Sequence, residues 1–119
     1  MVMLAVAVVA VVLGLLVADL SIYLGARAQA QVAADAAALA AAPVSFRPFG
    51  ASGSAADEAR RFAAGNGGDL IECRCSPDPS WRARTVTVLV RVPADLALLG
   101  STEARAWSHA NFDPTRLSR

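Results

Sequence analysis

The sequence contains no lysine and only one histidine, and aromatic residues make up 6% of its 119 positions. With a net charge of +1, it offers no basic surface of the kind that binds nucleic acid or anionic membranes. Two cysteines are too few for a disulfide framework. The glycine-rich segment 65–68 follows a predicted helix instead of opening one, so it does not match a phosphate-binding loop.

The sequence also offers few groups of residues that could form a catalytic site. His109 has no nucleophile at a recognisable spacing, and we interpret it as a solvated side chain at a strand end. The paired acids Asp57–Glu58 and Asp69–Glu72 fit helix-capping and surface positions. We therefore predict that the chain is not an enzyme and has no catalytic residue, cofactor, metal site, nucleic-acid partner or small-molecule substrate.

The N-terminus carries one long apolar segment. Residues 1–18 contain no charged or hydrogen-bonding side chain, and apolar residues resume after Asp19. A membrane-spanning helix needs about 20 predominantly apolar residues. We predict one span over about residues 2–24 in contact with the lipid bilayer, with Tyr23 in the interfacial layer and Arg27 on the water side.

Asp19 is the unusual residue of this segment. An acid at the centre of a membrane helix costs about 2.5–3.5 kcal/mol, and the cost falls toward either end. Our first interpretation is an interfacial acid whose side chain reaches headgroup water. The alternative is an intramembrane acid that pairs with a basic group of a neighbouring subunit.

A cleaved signal peptide is the main competing interpretation of the N-terminus. Both Ala26-Arg27-Ala28 and Ala28-Gln29-Ala30 satisfy the small-residue cleavage rule. However, the apolar run exceeds the usual signal core of about 7–15 residues, and no basic segment precedes it. We expect the start codon to lie upstream and to encode a short basic leader.

The helix is predicted to continue beyond the apolar run. Residues 25–42 are rich in alanine, the best helix former, and Pro43 is expected to end the helix at Ala42. At 1.5 Å per residue, the helix would measure roughly 60 Å. Its few larger side chains, Val32 and Leu39, leave a smooth surface that permits close helix packing, either on its own domain or on other subunits. The alternative is a simple spacer stalk.

The remaining residues predict a small α+β head. A loop is expected over 43–53, followed by a second short helix that begins after Ser54 and has Ala55, Ala59, Phe62 and Ala63 on one face. The head should extend over 54–110, and the tail 111–119 should be flexible.

Three segments of the head predict a small three-stranded antiparallel sheet. Residues 85–92 alternate clearly, with four valines on one face and Pro93 closing the strand. Residues 69–75 and 102–109 alternate more weakly, and the latter segment also fits a short helix. We expect the valine face to cover the alanine-rich helix or the second helix.

Cys73 and Cys75 lie two residues apart on one predicted strand, and several interpretations remain open. Our first is that both are small apolar or free thiols. A disulfide within the chain is disfavoured, because same-face strand neighbours place their Cα atoms roughly 6.5–7 Å apart. A disulfide to another subunit and a metal site with His109 are further alternatives.

The residues after the apolar segment also resemble a known family. The run that begins with Arg27-Ala28-Gln29 and continues through Ala33, Ala34, Asp35, Ala36, Ala37, Ala38, Leu39 and Ala40 is similar to TadE/TadG-like proteins, pilin-like components of tight-adherence (Flp) pili and related secretion systems. The resemblance covers residues 1–42 most strongly and is closest to short actinobacterial TadE-like proteins. It implies an assembly role for the family-motif residues Arg27, Gln29, Ala33, Ala34, Asp35, Ala36, Ala37 and Leu39.

The resemblance further implies a single-pass plasma-membrane protein with a pilin-like fold and an extracytoplasmic C-terminal part, assembled with other pilus or secretion components by helix contacts. Our leading hypothesis is a structural minor pilin or pseudopilin. The alternatives are a membrane-anchored extracytoplasmic binding domain unrelated to pili and a secreted protein with a cleaved signal peptide. Neither a prepilin-peptidase site nor the acidic residue near the start of major pilin helices is present, so we transfer no processing residue.

Overall fold

The computed structural model describes residues 1–46 and 53–118 and confirms the predicted α+β architecture. The sheet is antiparallel, with strand order β1-β2-β3. The elements in chain order are α1 (Val2–Val44), α2 (Ala55–Gly65), β1 (Asp69–Arg74), β2 (Arg84–Leu96), β3 (Gly100–Phe112) and a 3₁₀ helix (Pro114–Ser118).

The long helix α1 is continuous, as predicted, but it ends two residues later than expected. Pro43 lies inside its last turn instead of ending it at Ala42. The last carbonyl groups still find donors, because the Ser45 N–H bonds to the Ala41 oxygen and the Phe46 N–H bonds to the Pro43 oxygen. A proline in a final turn removes few hydrogen bonds, so the helix tolerates it there.

The core lies between the second half of α1 and the inner face of the sheet. The buried apolar residues of the helix are all alanines, whose small side chains let the helix and the sheet approach closely. The sheet contributes the valines that the sequence placed on one face. The buried residues of this core include Ala26, Ala30, Ala33, Ala34, Ala37, Ala38, Ala41 and Ala42 from α1, Val86, Val88, Val90 and Val92 from β2, and Ala104, Ala106 and Ala110 from β3.

The hairpin of β2 and β3 is much longer than the sequence indicated. Pro93 does not close β2, which continues to Leu96 and pairs with β3 along its whole length. β1 pairs with β2 only as far as Arg91, so Pro93 lies where one edge of β2 has no neighbouring strand. A proline is tolerated at such an edge, because no ladder hydrogen bond is lost.

Helix α2 begins as predicted, with Ser54 as its N-cap in a reciprocal capping box with Asp57. Of the four residues predicted on one face, Ala55, Ala59 and Ala63 are buried, whereas Phe62 is 40% exposed. The helix ends in a tight turn at Gly67, which has a φ of +78°.

The two predicted irregular segments differ in part from the structure. Residues 43 and 44 of the predicted loop belong to α1, and residues 47–52 lie outside the described residues. In the predicted tail, β3 continues to Phe112 and a 3₁₀ helix follows, with Pro114 buried. The segment 102–109 is a strand, as preferred, and not a short helix.

Candidate functional site

The first half of α1 projects away from the head. Every side chain from residue 1 to residue 18 is exposed, and only 6% of the most apolar window is buried. The mean hydropathy of that window is 2.8. This helix is long and apolar enough to cross a membrane, and it differs from the core helix of a soluble protein because nothing in the described chain covers it.

Asp19 marks the point where the head first touches α1. Its side chain is 2% exposed and accepts hydrogen bonds from three successive backbone N–H groups, those of Ala97 (2.6 Å), Leu98 (2.9 Å) and Leu99 (3.0 Å). These residues form the turn between β2 and β3. Neither interpretation of Asp19 anticipated these partners, which are backbone groups of its own chain. The position of Asp19 relative to a membrane stays a prediction.

The head contacts begin inside the predicted span of residues 2–24. Tyr23 is half-buried and packs against the core of the head, and its place in an interfacial layer stays a prediction. The head contacts only one face of α1 beyond Asp19, because Leu20, Ile22 and Leu24 remain exposed at 58%, 41% and 55%. The fully uncovered part of α1 is residues 2–18.

The family-motif residues divide into a buried and an exposed group. Ala33, Ala34 and Ala37 are completely buried against the head, so they are not available for contacts with other subunits. Ala36 is half-buried. The exposed members are Arg27, Gln29, Asp35 and Leu39.

Two exposed motif residues hold α1 to the head. The Gln29 side-chain amide donates to the Asn66 carbonyl at the end of α2 (3.4 Å). The Asp35 carboxylate accepts from the Ser108 hydroxyl on β3 (2.5 Å) and from the Gln31 amide on α1 (2.9 Å). These polar residues therefore fasten α1 to α2 on one side and to β3 on the other.

The face of α1 opposite the head remains uncovered within the described chain. Its residues follow spacings of three and four, so they form one line along the helix. The larger side chains are well exposed, Val32 at 57% and Leu39 at 69%. We call this surface the stalk stripe, and it comprises Gly25, Ala28, Val32, Ala36 and Leu39.

Cys73 and Cys75 form a disulfide within the chain, with Cα atoms 5.4 Å apart. The favoured interpretation, free or simply apolar thiols, is therefore wrong, as are the intersubunit bond and the metal site. The predicted separation assumed that both residues lie in one regular strand. β1 instead ends at Arg74, so Cys75 lies outside the regular strand, and its Cα atom is closer to that of Cys73 than strand geometry allows.

The other candidate chemical groups are engaged in structural contacts. His109 Nδ1 lies 2.9 Å from the Thr87 hydroxyl on the outer sheet face. Asp57 bonds to Ser54, and this contact holds the pKa of Asp57 below its ordinary value. Among residues 1–46 and 53–118, no group of three metal-ligating side chains comes together.

The comparisons with known proteins agree with this geometry. The family model described as "Putative Flp pilus-assembly TadE/G-like" matches residues 1–44, and this range coincides with α1 (Val2–Val44) except for the first residue. No curated protein and no solved structure gives a significant match. The resemblance predicted from the sequence is thus confirmed, and residues 1–44 of this chain carry a TadE/G-like segment.

Proposed function

We propose that the chain is a structural, minor pilin-like or pseudopilin-like subunit of a Tad (Flp) pilus or related secretion system. The observation that carries this proposal is the family match to a helix whose first half is apolar and uncovered and whose second half supports a small sheet. In this proposal, α1 crosses the plasma membrane once and the head lies on the extracytoplasmic side. The protein acts through packing contacts, without catalytic chemistry.

The stalk stripe is the proposed contact surface with other pilus or secretion subunits. Its small residues allow a second helix to approach closely, and Val32 and Leu39 supply apolar area at the centre and the end of the contact. The stripe runs along the same helix as the free apolar segment, so neighbouring subunits side by side in a membrane could align their stripes.

The structure provides an argument against the secreted alternative. Cleavage after Ala28 or Ala30 would remove Asp19 together with Ala26, which is buried in the core. The β2–β3 turn would then lose the carboxylate that accepts its three N–H groups. An uncleaved helix keeps both contacts, which favours the membrane-bound form.

The test compares two leucines changed to the same charged residue. Leu39→Glu places a carboxylate on the stalk stripe, and Leu117→Glu places one at a 54% exposed site on the 3₁₀ helix. Both sites are exposed, so each change should alter stability by no more than about 0.5 kcal/mol. We expect Leu39→Glu to abolish co-purification of other Tad components from membranes, while Leu117→Glu leaves it unchanged. Equal recovery with both variants would refute the role of the stripe.

A membrane-anchored binding domain is the second candidate, and exposed aromatic side chains favour it. Trp107 on the outer sheet face is 44% exposed and lies beneath the Arg74 guanidinium, and Trp81 is 58% exposed. Tryptophan and arginine are common binding anchors. If Trp107→Ala removed binding of an external partner and Leu39→Glu had no effect on any assembly, this second function would replace the first.

A further inference from the structure

The turn between β2 and β3 lies beside the end of the free apolar segment. Asp19 binds the N–H groups of Ala97, Leu98 and Leu99, and the residue before it, Ala18, ends the charge-free run of α1. The two leucines of the turn do not pack into the core, since Leu98 is 44% and Leu99 is 69% exposed. Two exposed leucines therefore stand at the level where α1 leaves the head.

The length of the free segment places this turn close to a bilayer surface. Residues 2–18 span roughly 25 Å at 1.5 Å per residue, whereas the hydrocarbon core is about 30 Å thick. If the free segment fills the hydrocarbon, Asp19 and the turn come to the boundary between acyl chains and headgroups. The head cannot then stand well above the membrane on a bare stalk.

The backbone N–H groups of the turn are already hydrogen-bonded, which suits a position at a bilayer surface. Hairpin turns commonly leave N–H groups to water, and an unpaired N–H is costly in an apolar layer. Here the Asp19 carboxylate accepts all three N–H groups of Ala97–Leu99. The leucine side chains can therefore enter the interfacial layer without exposing unpaired backbone donors to it.

The polarity of the hairpin changes immediately beyond the turn. Asp95 and Ser101 face each other across the two strands, with the Ser101 hydroxyl donating to the Asp95 carboxylate at 3.0 Å. Glu103 lies two residues after Ser101 on β3 and forms ion pairs with Arg91 and Arg105. At this end of the hairpin the exposed apolar side chains are thus limited to the tip, which suits contact with a lipid surface and limits its depth.

We propose that the tip Ala97–Leu99 is a second membrane contact, which rests in the interfacial layer of the leaflet from which α1 emerges. This inference rests on the proposed function, in which α1 spans the membrane. The tip and the helix together would fix the tilt and the rotation of the head relative to the bilayer. Asp19 would position the tip and would not itself contact lipid.

Tryptophan fluorescence quenching by brominated lipids tests this proposal on the full-length chain in phosphatidylcholine vesicles. Trp81→Phe and Trp107→Phe provide a background into which a single tryptophan is introduced. The three probe sites are all exposed: Leu99 at the tip, Leu13 in the free segment and Leu117 on the 3₁₀ helix, which follows the opposite end of β3. Bromine is placed at a shallow or at a deep position of the acyl chains.

We expect shallow bromine to quench Leu99→Trp several-fold more strongly than Leu117→Trp, and deep bromine to quench Leu13→Trp most strongly. If Leu13→Trp is quenched and Leu99→Trp behaves like Leu117→Trp, the tip does not contact lipid and the inference is overturned. If Leu13→Trp is not quenched either, the membrane span itself fails, and with it the proposed function.

Discussion

Gly68 is the position where the packing of α1 on the sheet can be tested most sharply. It lies between α2 and β1, and a Cβ built on it would stand 2.5 Å from Val90 Cγ1 and 3.0 Å from the Ala33 Cβ. Both neighbours are completely buried, so neither can move into solvent. A Gly68→Ala variant must therefore separate α1 from β2 or force Val90 from its rotamer.

The expected cost follows from the volume of one added methyl group. Inserting a methyl or methylene group into a well-packed core destabilises a protein by about 1–3 kcal/mol. Gly65 provides a matched control, because a Cβ there meets nothing within 4 Å and the residue ends α2. Gly65→Ala should be neutral or stabilising by up to about 1 kcal/mol, since alanine is the better helix former.

Urea unfolding of the full-length chain in detergent micelles, followed by Trp81 and Trp107 fluorescence, measures both effects. With a typical slope for a small domain, Gly68→Ala should lower the midpoint by about 1 M. Gly65→Ala should keep or raise the midpoint. If Gly68→Ala unfolds at the wild-type urea concentration, the close approach of Ala33 and Val90 does not stabilise the head, and the described packing is wrong.

Two further predictions concern the disulfide and the capping box. Protein purified without reductant should have a mass two hydrogens below that of the reduced chain and run as a monomer on a non-reducing gel; a Cys73- or Cys75-linked dimer would contradict the intrachain bond. The Ser54 hydroxyl, which donates to Asp57, is the main cause of the lowered pKa of Asp57. Because the folded-state pKa is the lower one, this contribution to stability is present above the ordinary value of 3.8 and is lost as the pH falls through the folded-state pKa. Stability measured from about pH 5 to pH 3 should therefore fall less steeply in Asp57→Asn than in the wild type; identical slopes would contradict this contact.

The parts of the fold that were predicted correctly rest on local patterns. The alanine-rich run favours helix at every position, and strict alternation of the valines in 85–92 defines both a strand and its buried face. Ser54 and Asp57 predict the start of α2 within one turn, because both partners of the capping box lie in that turn. Each of these signals is complete within a few residues of sequence.

The misinterpreted residues depend on contacts that a local pattern does not contain. Asp19 is bound by a turn 78 to 80 residues later in the chain, and nothing around Asp19 in the sequence indicates that partner. Pro93 is tolerated because β1 stops pairing at Arg91, which is a property of the neighbouring strand. The disulfide depends on the end of β1 at Arg74, which leaves Cys75 outside the regular strand.

The burial of the alanine face changes which residues can report on assembly. Ala33 and Ala37 belong to the family motif, but both are fully buried under the sheet of their own chain. A bulky substitution at either would damage the head first, and any loss of assembly would then be indirect. Val32 and Leu39 lie on the opposite face of the same turns and are more than half exposed. The alanines therefore explain how α1 supports its own head, and an assembly role of this helix must be sought on the stalk stripe.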